Sequence, residues 1–235
     1  MATHLTRKEL KQDRFASQVE NSFLSLSTHK REIVRYGGAA LAVIIVVAAV
    51  WYYRSAQVSV RQQTLGDAMT LYTATVGVNP TPGTPNFPTE AAKDDAVVKA
   101  FTKITQDYSG SNEAYIAEYY LASGKAAEPG KTDEVRKQLQ DVIDHANANY
   151  ASLAKYALAQ VDLASNRMAE GQSLLKDLMD HPSDLVSKSQ ATITYAQSIA
   201  ATNPAEARKL LTQVASQASD GSQQAVAALS AIPQK

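Results

Sequence analysis

The sequence predicts an all-α protein in which a single transmembrane helix precedes a helical solenoid, and three observations predict it. Ala accounts for 39 of the 235 residues, with 19 Leu and 17 Gln beside it, a composition that favours helix, while six Val and Ile residues crowd into 43–50. The stretch 36–53 carries no charged side chain. Beyond residue 89 an apolar motif returns every 36 to 38 residues, a period that belongs to stacked helix-turn-helix units.

The apolar stretch centres on Ala39-Ala-Leu-Ala-Val-Ile-Ile-Val-Val-Ala-Ala-Val50. As a helix its 18 residues span roughly 27 Å, close to a bilayer core. Tyr36 at one end and Trp51, Tyr52 and Tyr53 at the other stand where amphipathic rings favour the headgroup level, and Arg35 and Arg54 flank them. A cleaved signal peptide fits less well, because 35 residues precede the run and Arg54 would fall at the −3 position of a cut after Ala56. Ahead of the run lie Arg7, Lys8, Lys11, Arg14, Lys30, Arg31 and Arg35, against only Arg54 and Arg61 in the twenty residues after Tyr53. That bias puts the amino terminus in the cytoplasm and the bulk of the chain outside it. The chain is therefore expected to cross the membrane once, with its carboxy-terminal domain outside, in the periplasm if the cell has one.

Residues 1–35 are expected to form a cytoplasmic amphipathic tail. Thr6 and Glu9 have capping-box spacing, and Phe15, Val19, Phe23 and Leu26 then fall on one helical face. Such a face suits membrane lipid or a cytosolic partner. His29, beside Lys30 and Arg31, reads as a headgroup-level residue.

Residues 54–76 continue a helical stripe through Leu65, Met69, Tyr72 and Val76, forming the first solenoid helix. Residues 77–88 hold four prolines within nine positions, which forbids regular helix and favours an extended spacer loop. From 89 to 235 the chain echoes itself. Val97/Ala100/Phe101/Ile104, Val135/Gln138/Leu139/Val142, Gly171/Leu174/Leu175/Leu178 and Ala207/Leu210/Leu211/Val214 repeat one pattern, and the repeat-core residues Phe101, Leu139, Leu175 and Leu211 stand 38, 36 and 36 apart. Ala-rich partner helices are expected at 112–123, 150–165 and 183–200. Turns are expected at Ser109-Gly-Ser111, Gly124, Pro129-Gly130, Ser165-Asn166, His181-Pro182 and Asn203-Pro204. A last helix over 220–232 is expected to cap the stack.

These repeats resemble the tetratricopeptide repeat family, whose second helix carries a small residue, a large apolar residue four on and another three on. Ala96-Val-Val-Lys-Ala-Phe-Thr-Lys-Ile104 matches best; the first-helix Trp and Leu-Gly signature is largely missing, so the repeats are degenerate. The resemblance covers roughly residues 58–231. The whole layout, a basic tail, one anchor and a divergent repeat domain, resembles the ancillary subunit family of the bacterial SecYEG translocon. That resemblance implies an inner-membrane protein linking translocon subunits to periplasmic chaperones.

Zero net charge, from 23 basic and 23 acidic residues, argues against nucleic acid as partner. The absence of cysteine excludes disulfides and thiolate chemistry. No P-loop, dinucleotide, zinc-helix or nucleophile-elbow motif occurs, so catalytic residues, cofactors, metals and small-molecule substrates are not expected. Asp144-His145 and Asp180-His181 recur 36 apart, but each pair closes a second helix, where histidine meets the negative dipole end. Asp94-Asp95, following Thr89-Glu90, similarly suits a helix start rather than a metal. The expected function is a protein-binding scaffold with Tyr115, Tyr119, Tyr156 and Tyr195 lining its groove. The alternatives are a transmembrane regulator whose tail retains a cytosolic factor, and an adaptor for envelope assembly.

Overall fold

The computed structural model describes residues 30–77, 85–217 and 221–232, and within its first helix the side chains at 36, 40–49, 52 and from 57 onward. Among the described residues run nine helices: α1 (Lys30–Tyr72), α2 (Glu90–Asp107), α3 (Asn112–Lys125), α4 (Thr132–His145), α5 (Ala148–Ala164), α6 (Met168–Asp180), α7 (Lys188–Ile199), α8 (Pro204–Ala215) and α9 (Ser222–Ala231). The chain divides into two compact units, Met1–Ser59 and Val60–Lys235.

In the first unit the residues from 30 are helical and the side chains at 40–49 are all exposed. Leu41, Val43, Ile44, Ile45, Val46 and Val47 keep 58–63 % of their surface open. Among the described residues no helix is long and apolar enough to cross a membrane. Within the expected span 36–53, the side chains described without a gap are the ten at 40–49, about half of what a bilayer needs. The expected tail features at Thr6, Glu9, Phe15, Val19, Phe23, Leu26 and His29 lie outside the described residues.

The second unit is a stack in which, from α2 onward, each helix packs on its sequence neighbours, with α3 also meeting α5 and α7 meeting α9. Polar residues start the helices by taking up amides that have no intrahelical partner: Thr89, Ser111, Asn147, Ser187 and Asn203 each accept from the backbone N–H three residues on. Turn chemistry ends them. Pro129-Gly130 forms a turn closed by Lys131 N–H donating to Glu128 O, with Gly130 at φ 78°, where a β-carbon is disfavoured. Asn166, at φ 60°, follows α5, and Arg167 N–H donates back to Asp162 O, a Schellman closure made with asparagine.

The cores overlap from one repeat to the next. Ala68 of α1, Phe101 and Ile104 of α2 and Ala117 of α3 form the first, and Val135, Leu139 and Val142 of α4 fill the next between α3 and α5. Leu175, Leu211, Ile193, Ile199, Ala225 and Ile232 belong to the largest, built from α5 to α9. Phe101, Leu139, Leu175 and Leu211 are each 0 % exposed. Polar contacts at one repeat spacing tie the layers: Asn147 N–H donates to Asn112 Oδ1, Asn149 Nδ2 to Asp184 Oδ2, and the Tyr156 and Thr194 hydroxyls meet at 2.7 Å.

Three local expectations need correction. The first solenoid helix stops at Tyr72 rather than 76, because Thr75–Val76 (β1) pairs in parallel with Asn86–Phe87 (β2), closing the proline-rich segment at its base. Helix α7 starts at Lys188 rather than 183: the Ser183 hydroxyl is spent on the Val186 amide, Val186 is buried, and Ser187 provides the cap. Gly124 does not end a helix, since α3 continues to Lys125.

Candidate functional site

An open cavity of about 910 Å³ runs along α4. Its acidic lining comprises Glu118 from α3 and Asp133, Glu134, Asp141 and Asp144 from α4; Arg136 and Lys137 supply the basic side chains, and Leu158 of α5 its apolar floor. Helical spacing explains the clustering, because 133, 137, 141 and 144 fall on one face while Val135, Leu139 and Val142 point into the core. Neither strand nor loop is needed to build it.

The charges in this wall are unequally matched. Arg136 is pinned by Asp162, its Nε donating to Oδ1 at 2.5 Å, and Glu134 receives both Lys125 (2.8 Å) and Lys131 (3.0 Å), whose hydrogen bonds hold its carboxyl down near about 2. Glu118 lies in the opposite condition. Burial first, and then the Asp141 carboxylate, push it above the ordinary glutamate range against a smaller pull from His145. Asp133 faces Arg167 only at 3.6 Å.

A family model described as a tetratricopeptide repeat-like domain matches residues 34–185. The chain belongs to this tetratricopeptide repeat-like family. No curated protein and no solved structure matches the chain. A tetratricopeptide repeat-like domain is a protein–protein interaction scaffold, typically without enzymatic activity, and helices α7 to α9 extend this one beyond the matched residues.

The four tyrosines expected to line its groove stand in different environments, with Tyr156 and Tyr195 in one packed cluster. Tyr195 is 7 % exposed within the core, its ring approached by Lys176 Nζ at 5.2 Å, so it is corrected from a peptide anchor to a packing residue. Tyr156 is partly buried and engaged with Thr194. Tyr119 packs edge-on against Tyr120 and Tyr150, and burial raises its hydroxyl pKa. Tyr115 stacks on the His145 ring at 5.3 Å. None of the four lines the cavity along α4. Sequence reasoning passed over that cavity, since a helix as charged as Thr132–His145 reads as a solvated face; the signal available was four carboxylates on one helix surface.

Of the expected membrane-interface residues, Tyr36 and Tyr52 are each 74 % exposed; the side chains of Arg35, Trp51, Tyr53 and Arg54 lie outside the described residues. The histidines close their helices through different partners from those adjacent in sequence. His145 Nδ1 is 2.9 Å from Asp141 O and 3.2 Å from its carboxylate, and His181 Nδ1 is 3.2 Å from Asp177 O and 3.1 Å from its carboxylate, so the contact is with the aspartate one turn back rather than Asp144 or Asp180. Among the described residues no three acidic or histidine side chains gather closely enough to hold a metal ion, Asp94 and Asp95 included.

Proposed function

We propose that this protein is a membrane-anchored scaffold of the bacterial inner membrane, an accessory of the Sec translocon whose periplasmic repeat domain links translocon subunits to chaperones. The family supports the scaffold. One observation carries the anchor: six large apolar side chains between Leu41 and Val47 stand 58–63 % open, a continuous surface that water penalises and lipid accepts. The excess of basic residues before residue 36 orients it with the tail inside, in contact with anionic lipid. Anchoring raises the local concentration of a partner at the membrane, which is how a scaffold without chemistry acts.

The experiment has two parts. Alkaline extraction of cell membranes separates an integral protein from a peripheral one, and protease added to the periplasmic side should digest residues beyond 60 while sparing the tail. Photo-crosslinking from Tyr72, Tyr115 and Gln140, followed by mass spectrometry, should capture translocon subunits and periplasmic chaperones. Release by alkali would remove the anchor; capture confined to envelope-assembly proteins would keep the scaffold and discard the translocon, and capture of a cytosolic factor by the tail would favour a transmembrane regulator.

A further inference from the structure

We draw no further inference here: the strongest candidate, the largely apolar cavity of about 630 Å³ where the end of α7, the start of α8 and the end of α9 meet, lined by Ala200, Ala201, Pro204, Ala205 and Ile232 beside Arg208, carries nothing because Arg208 already donates to the Ile232 carbonyl and nothing in the structure shows what covers the apolar walls.

Discussion

Arg136 Nε donates to Asp162 Oδ1 at 2.5 Å, joining α4 to α5, and Asp162 is 1 % exposed. The carboxylate is out of water, so its solvation is supplied by this guanidinium; the hydrogen bond in turn raises the arginine pKa. Removing one partner strands the other. Arg136→Ala should therefore cost about 3 kcal/mol in urea unfolding, the lower end for a broken buried pair since the arginine itself is 27 % open. Asp162→Asn, which keeps an acceptor, should cost less, and Arg136→Leu with Asp162→Leu less again. A loss below about 1 kcal/mol for Arg136→Ala would show that water reaches Asp162.

The repeat was legible because its core positions obey one register: Phe101, Leu139, Leu175 and Leu211 each sit at the same point of alternate helices and are all wholly buried. Helix starts followed from local chemistry at Ser111 and Asn203, but α5 starts at Ala148 on an Asn147 cap, ahead of the expected 150, and at α7 Ser183 and Ser187 both have capping character and only the burial of Val186 separates them. The β1–β2 bridge depends on residues ten or more apart and leaves no local pattern. The site was harder still. Periodicity says which helix face is apolar but not which neighbour that face meets, so Tyr195 looked like a groove residue and is a core residue.

Gly171 holds the small position of the third repeat. A β-carbon there would come within 2.8 Å of Ala159 O and of Leu163 Cγ, so α6 approaches α5 as closely as a missing side chain allows. Helix propensity alone favours Gly171→Ala by about 1 kcal/mol, whereas overpacking costs about 1–3 kcal/mol. One contact is backbone and does not yield, so the clash wins. Thermal unfolding should show a lower melting temperature for the alanine variant; a higher one would mean that the two helices separate freely.

Acid should act on three carboxyl groups, two in one sense and one in the other. Glu134, lowered to about 2 by Lys125 and Lys131, and Asp177, lowered chiefly by its hydrogen bond from Lys155, are stabilising at neutral pH. Their contributions are present above the ordinary carboxylate pKa and are lost as pH falls through the depressed values. Glu118 is raised by burial and by Asp141, so its favourable contribution belongs to the protonated form, complete below the ordinary pKa and lost as pH rises through the raised one. Glu118→Gln should accordingly raise the melting temperature at pH 7 and change little at pH 3. Melting curves of the wild-type and variant proteins at pH 3, 5 and 7 check the sign, and an equal shift at all three would remove the electrostatic explanation.

Helix α9 ends the described stack, and its buried residues Ala225 and Ala228, with Ile232 just beyond, cover Ile193 and Ile199 of α7 and Leu211 and Val214 of α8. The fit is close at its start, where a β-carbon on Gly221 would stand 2.8 Å from Ser189 Cβ, and Arg208 Nη2 donates to Ile232 O at 3.2 Å. A solenoid layer has no other way to hide its last apolar face. Deleting residues 220–235 removes that cover; burial of one isoleucine and two alanines accounts for about 3 kcal/mol, equivalent to a melting temperature lower by about 6–12 °C. The freshly opened face should also bind a hydrophobic dye and promote aggregation. Unchanged melting and solubility after the deletion would mean that α8 is self-sufficient as the final layer and that α9 serves some purpose other than capping.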